Sequence, residues 1–372
     1  MGKNSIKEAT PNRSVYFNQL DGLRCMAVMA VLVCHWITYR FFVLIPFGSM
    51  GVNLFFVLSG FLITRILFIT KDENQTKEFW HPIKRFYIRR SLRIFPIYFL
   101  TIFFLAAINY HAIRANMIWL LTYTFNIKFS MPNVWESGEL NFAAHLWSLS
   151  VEEQFYLFFP FLIFLIPRPK TKGFLFFMIA LGILSRALLY FFDAPKNAIY
   201  VLTPACMDSF GIGALLAYYV LYDQTTLKKI IAKKRFFIIA ILLFVFSIVY
   251  SRFYIDSYRE CRTILERFLF SVCCFWIVGY GILSEYKGGV KWILENQFVI
   301  YIGKISYGLY IYHFFAEPFF FKICDVLKID LTKVIGYNMI SRSVFLFLAT
   351  LIVASISWRL IEQPINKLKN KF

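Results

Sequence analysis

Arg24 and His35 stand in one apolar stretch, LDGLRCMAVMAVLVCHWITYR, that reads as a membrane-crossing helix over Leu20–Tyr39. A charge inside such a span costs about 2.5–3.5 kcal/mol by insertion scales, so each needs a partner or a task. Eleven residues separate the two, close to three helical turns, which sets both side chains on one face about 16 Å apart. A permanent cation then sits near one end of the helix and a titratable imidazole near the other, a pairing suited to holding an anion and taking a proton. A snorkelling Arg24 and a His35 hydrogen-bonded to a neighbouring helix fit the same spacing.

A second polar face lies in HLWSLSVEEQFY. Ser148, Glu152 and Tyr156 are spaced i, i+4, i+8 and share a helix face, His145 stands one turn before them, and Glu153 points elsewhere. A carboxylate two turns into a span marks a site, and beside an imidazole it would fix the tautomer. Glu152 is therefore expected to pair with His35, with Ser148, Tyr156 and His145 as candidates for acceptor or transition-state contacts. A structural hydrogen bond between helices is the competing reading. The third group is RFYIRRSLRIFP, with Arg85, Arg89, Arg90 and Arg93 crowded before a span. Positive charge on the cytoplasmic side explains part of it. Arg forks at a helix N-terminus also suit phosphates.

Three signals are weaker. Ser59–Gly60 has the look of a small-residue helix contact. Asp208 stands in a span with Gly211 and Gly213 after it. Lys304, Ser306, Tyr307 and His313 share a span that either lines a cavity or packs aromatics.

The elements that must position these groups are helices in lipid. Hydrophobic residues make up 59% of the 372. Apolar runs long enough to cross recur throughout, without the alternation of a barrel. The expected fold is all-α and polytopic, with spans at Leu20–Tyr39, Gly51–Ile69, Leu92–Tyr110, Leu146–Ile166, Gly173–Phe192, Thr203–Tyr222, Phe236–Tyr250, Ile264–Ser284, Phe298–Phe321 and Ile340–Leu360. Ala115–Phe129 is too short to cross and reads as re-entrant or interfacial. Lys and Arg concentrate at 84–93, 168–172, 228–235, 287–291 and 367–371. Placing all five in the cytoplasm gives about ten crossings with both termini inside, Arg24 near the cytoplasmic face and His35 toward the outer one. Residues 1–19 and 365–372 become cytoplasmic ends of one membrane domain over 20–364. The net charge of +19 is then a topology signal and not a nucleic-acid surface. The seven cysteines show no CxxC spacing and read as core hydrophobes, with no metal site. The polar first sixteen residues are followed by no cleavage site, so no removable signal peptide is expected.

Together, LDGLRCMAVMAVLVCH, GVNLFFVLSGFLIT, RRSLRIFPIY, HLWSLSVEEQFYLFFP, ISYGLYIYH and WRLIEQP resemble, in order, acyltransferase family 3, the membrane O-acyltransferases that decorate surface polysaccharides. The resemblance covers nearly the whole chain. It implies acyl-CoA, usually acetyl-CoA, as a cytosolic co-substrate with no bound cofactor. It also implies a hydroxyl of O-antigen, exopolysaccharide or another lipid-linked glycan as acceptor, and a place in the bacterial inner membrane. Membrane lipids and acceptor glycan are the implied partners, with a homo-oligomer left open. By resemblance Arg24 and His35 are the essential pair; the carboxylate-beside-imidazole reading adds Glu152 to catalysis. Arg24, Arg89, Arg90 and Arg93 handle the donor, and Ser148, Glu152 and Tyr156 match the family's Ser-x3-Glu-x3-Tyr helix. Many members carry an Arg where this chain has Cys206, which puts in doubt a charge contact from that helix. No carboxy-terminal SGNH-type domain follows, so an acyl relay would need another protein. A macrolide or lipid acceptor, or a transporter using Arg24, His35 and Glu152 as a relay, are the alternatives; no internal repeat of the transporter kind is visible.

Overall fold

The computed structural model describes residues 16–37, 45–74, 78–134, 138, 140–253, 259–283, 286–329 and 338–371. The expected amino-terminal segment up to residue 15 and the end of the first expected span at Tyr39 lie outside them. The described residues are helical, without a strand. Among the described residues, seven helical stretches are long and apolar enough to cross a membrane: Phe47–Glu73, Trp80–Ala107, Leu146–Leu165, Arg168–Phe191, Pro204–Tyr222, Ile264–Ile282 and Met339–Lys367. Asn18–Trp36, Lys234–Phe253 and Ser306–Val326 are of similar length, 19, 20 and 21 residues. The chain is an all-α polytopic membrane protein.

In chain order the helices are α1 (Asn18–Trp36), α2 (Phe47–Glu73), α3 (Trp80–Ala107), α4 (Met117–Leu121), α5 (Phe125–Phe129), α6 (Leu146–Leu165), α7 (Arg168–Phe191), α8 (Lys196–Val201), α9 (Met207–Tyr222), α10 (Gln224–Ala232), α11 (Lys234–Phe253), α12 (Arg259–Ile282), α13 (Gly288–Leu294), α14 (Gln297–Lys304), α15 (Ser306–Val326), α16 (Met339–Ser357) and α17 (Gln363–Lys367). The segment expected not to cross is broken into α4 and α5, of five residues each, too short to span lipid.

Two expectations are corrected. The third span begins at Trp80 and not at Leu92, because nothing in the basic stretch breaks the helix. The Arg cluster thus lies turns inside α3, and the helix-dipole argument for phosphate at that N-terminus lapses. The expected span Phe298–Phe321 is interrupted at Ile305, between α14 and α15.

Helices α2 and α9 form the centre, 67% and 78% buried over their apolar windows. A Cβ at Gly60 would collide with the Phe210 carbonyl, and one at Gly213 with that of Val57, so hydrogen alone lets these backbones touch. Helices α7 and α16 are only 22% buried and turn Phe177, Leu184, Leu188, Ile352 and Val353 outward, as lipid-facing helices do. At one end of the bundle Lys71 Nζ donates to the carbonyls of Ile163 and Ile166, both at 2.7 Å, satisfying the last turn of α6. Arg168 at the start of α7 pairs there with Asp72. The starts of α1, α3 and α7 and the ends of α2 and α6 therefore share one face.

Candidate active site

Helices α1 and α2 run antiparallel: Gly48 abuts Cys34, and Gly51 abuts Ala27 and Val31. Arg24 and His35 consequently lie at opposite depths, as their spacing requires. Arg24 Nη1 donates to Asp21 Oδ1 at 2.8 Å, and Asp21 is 2% exposed. The Arg24 guanidinium then faces a cavity of about 90 Å³ among α1, α2, α3, α6 and α15. Arg90, Arg93, Glu152, Glu153 and Tyr156 line it with Arg24, and Ser148 of α6 and Tyr310 of α15 line it toward the His145 end. The Arg90 guanidinium lies 4.3 Å from the Tyr156 ring centroid. Its Nε is buried without a hydrogen-bond partner among the described residues.

Arg89 and Arg85 do not line this cavity; both are exposed. The expected donor set loses Arg89, since one residue around a helix turns the side chain about 100° away. Glu153, expected to point elsewhere, lines the cavity beside Glu152. Lys369, in the last turn of the chain, is half-buried against the same Arg cluster. Burial first, then Arg93, Arg90 and Arg89, hold its ammonium pKa down to about 8.

The expected pairing of Glu152 with His35 is replaced by another arrangement. Glu152 accepts from the hydroxyls of Ser59 and Tyr156. It lines the cavity with Arg24, because α6 carries it two turns in from the His145 end. His35 instead meets His313 of α15, with Nδ1 and Nε2 2.9 Å apart and the rings stacked at 5.0 Å. His313 Nδ1 lies 2.6 Å from the Tyr310 carbonyl. A carbonyl only accepts, so His313 Nδ1 carries the proton and its Nε2 offers a lone pair. His35 must then donate from Nδ1, which leaves the lone pair on His35 Nε2. His35 keeps accessible surface, whereas His313 is wholly buried. An imidazole oriented through one nitrogen and basic at the other is a general-base arrangement.

His145 joins this group, its ring 5.1 Å from that of His313 and its Nε2 3.2 Å from the Ile311 carbonyl. Ser148 Oγ lies 2.6 Å from Tyr310 Oη, which donates to the His145 carbonyl at 3.0 Å. The polar face expected on α6 is thus divided, His145 and Ser148 toward α15, Glu152 and Tyr156 toward α2. Among the described residues no group of His, Cys, Asp and Glu is placed to hold a metal. Asp208 is committed to Arg186 of α7, 2.6 Å away with both side chains buried. At Cys206, guanidinium arrives from another helix: Arg267 of α12 donates to the Cys206 sulfur at 2.8 Å and to the Tyr200 carbonyl at 2.8 Å. Sequence reasoning noted His313 without its role and did not reach Arg186, Arg267 or Lys369. A lone His or Arg in an apolar span was the available signal.

Comparison with known proteins agrees with the motif order. Residues 17–359 match the family model described as an acyltransferase domain. The peptidoglycan O-acetyltransferase OatA of Listeria monocytogenes is 29% identical over 384 residues, covering 97% of this chain and 58% of that protein. A putative O-acetyltransferase of Staphylococcus aureus strain COL is 28% identical, covering 95% and 58%. The O-acetyltransferase OatA of S. aureus NCTC 8325 is 27% identical, covering 95% and 57%. The chain thus spans under two thirds of the length of these relatives, and no solved structure is significantly similar. With the model match running from before Arg24 into the π-helical turn at Trp358–Glu362, the chain belongs to the family of this acyltransferase domain.

Proposed function

We propose that the chain is a membrane O-acyltransferase that moves an acyl group, acetyl by analogy with the relatives' names, from cytosolic acyl-CoA to a hydroxyl of a surface glycan. The observation that carries this reading is the His35–His313–Tyr310 chain, which leaves His35 Nε2 as a positioned base. In the reaction the acceptor hydroxyl gives its proton to His35 Nε2 as its oxygen bonds the acyl carbon. The carbon–sulfur bond of the thioester breaks, and the CoA sulfur leaves with the proton held by His35. The cavity lined by Arg24, Arg90 and Arg93 suits the donor, since guanidinium forks match phosphates. The basic connectors, read as cytoplasmic in a bacterial plasma membrane, support a cavity that faces the donor pool. The name of one relative, a peptidoglycan O-acetyltransferase, supports a glycan acceptor and widens the proposed class beyond O-antigen and exopolysaccharide.

Purified His35→Ala should insert and bind CoA like the parent while acyl transfer falls by about 10²-fold or more. Near-normal turnover in that variant would remove His35 from the mechanism. The tautomer itself is open to nitrogen-15 NMR of histidine-labelled protein in nanodiscs, because the chain has five histidines and each signal is assignable by substitution. His35 should show a protonated Nδ1 and a bare Nε2, and His313→Phe should scramble the two. A His35 ring protonated at Nε2 in the parent would contradict the base assignment.

A further inference from the structure

A second cavity, of about 380 Å³, continues along the same pair of helices. Cys34 of α1, Ser49 and Asn53 of α2, Lys196 and Tyr200 of α8, and Arg267 of α12 contribute to its wall. Cys34 immediately precedes His35. Ser49 and Asn53 prolong the stripe of α2 on which Phe56 and Ser59 line the first cavity. Ten residues of α1, about 15 Å, separate Arg24 in one cavity from Cys34 in the other. The two cavities are therefore stacked along the bundle.

The chemistry of this wall differs from packing. Asn53 is 3% exposed, and its Oδ1 has no hydrogen-bond partner among the described residues. It is an acceptor held where only a donor such as a hydroxyl satisfies it. Arg267 is 5% exposed, and its hydrogen bonds go to uncharged atoms: the Ala205 and Tyr200 carbonyls and the Cys206 sulfur. Its guanidinium also lies 4.9 Å from the Tyr200 ring centroid. Lys196 is exposed at the same cavity. Against Lys196, Arg186 and Arg267 the wall sets one carboxylate, Glu266; Asp208 nearby pairs with Arg186, and its charge also reaches Arg267, which leaves three cations to two carboxylates. A buried cation with neutral hydrogen-bond partners is costly unless an anion approaches it.

We propose that this cavity seats the acceptor, a saccharide bearing a carboxylate or phosphate. The anionic group meets Lys196 and Arg267, one hydroxyl donates to Asn53 Oδ1, and a neighbouring hydroxyl reaches His35. The assignment rests on the reading of His35 as the base. It divides the labour of the two cavities: donor against Arg24, Arg90 and Arg93, acceptor against Asn53, Lys196 and Arg267.

Cys34 offers a direct readout, being exposed while the other described cysteines are buried. The full chain in nanodiscs, saturated with CoA, is alkylated with N-ethylmaleimide, and the rate at Cys34 is followed by mass spectrometry. N-acetylmuramic acid probes a carboxylate sugar and glucose 6-phosphate a phosphate sugar; N-acetylglucosamine and glucose are their neutral counterparts. At least one anionic sugar should slow Cys34 labelling severalfold, and its neutral counterpart should do so much less. Lys196→Ala, at an exposed position tolerant of change, should remove the protection and leave CoA binding intact; Asn53→Leu should weaken it. Protection by neither anionic sugar, equal protection by the neutral ones, or protection that survives Lys196→Ala would overturn the proposal. His35→Ala should retain the protection. Turnover surviving in His35→Ala would therefore sink the base assignment without touching the cavity, and lost protection in an active parent would do the reverse.

Discussion

At the scale of single residues, the guanidinium groups at the Arg24 cavity are distinguishable by geometry. Arg90 and Arg93 line it, and Arg89, one residue away, does not. Replacing a charge-assisted fork by an ammonium should cost about 1.5–3 kcal/mol, or roughly ten- to a hundred-fold in affinity. Calorimetry should therefore find CoA binding weakened in Arg90→Lys and Arg93→Lys and unchanged in Arg89→Lys. Equal behaviour of all three would reduce the cluster to an orientation signal, which Lys serves as well as Arg. Arg24 and His35 were legible because their spacing on one helix needs no knowledge of neighbours. The partner of His35 was not, because which polar side chain faces another helix depends on packing depth. Glu152 starts two turns too far along α6 to reach His35, and His313 comes from 278 residues away.

At the scale of elements, the contact between α2 and α9 is set by two glycines. Gly60→Leu or Gly213→Leu inserts a side chain where backbone carbonyls of the facing helix already sit. Overpacking of this kind typically costs about 1–3 kcal/mol. Thermal denaturation in detergent should show a lowered midpoint for both, with Gly173→Ala as the neutral comparison, since nothing lies within 4 Å of a Cβ there. A midpoint equal to the parent's would mean the helices can separate freely. Helix positions were readable from apolar run length, as the long helices among the described residues show. Two boundaries escaped it. The rule that basic residues mark the end of a span places α3 twelve residues late, because charge stops a membrane crossing but not a helix. The break at Ile305 has only Gly303, two residues before it, as a local signal, and a single Gly inside an apolar run is tolerated in a helix.

At the scale of the whole molecule, the last turn of the chain folds back on the Arg cluster through Lys369. Its pKa of about 8 lies below the 10.5 of a free lysine. The protonated form is thus disfavoured in the fold. Its unfavourable effect is fully present below pH 8 and is relieved as pH rises toward about 10.5. A phosphate arriving among Arg90, Arg93 and Lys369 would raise that pKa again. CoA binding at pH 9 should therefore take up a fraction of a proton, measured by calorimetry in buffers of differing ionisation enthalpy. Lys369→Met should abolish the uptake, and an uptake unchanged in that variant would place the phosphates elsewhere. No reading of local sequence brings residue 369 beside residue 93, since the contact closes only when the end of the chain returns to α3.

The hydrogen-bond chain from His35 ends at the carbonyl of Tyr310, and that ending matters for the membrane as an electrical barrier. A carbonyl accepts a hydrogen bond but passes no proton onward, so the two imidazoles do not form a wire. A proton collected at His35 returns only to a reacting group beside it. Energised membranes store about 2.3 kcal/mol per charge for each 100 mV, and a leak through stacked polar cavities would discharge that store. Liposomes carrying the protein should accordingly hold an imposed pH gradient as long as empty ones, read with an entrapped pH-sensitive dye. The bundle is in this sense an electrical insulator around the proposed chemistry, with the proton circuit left open.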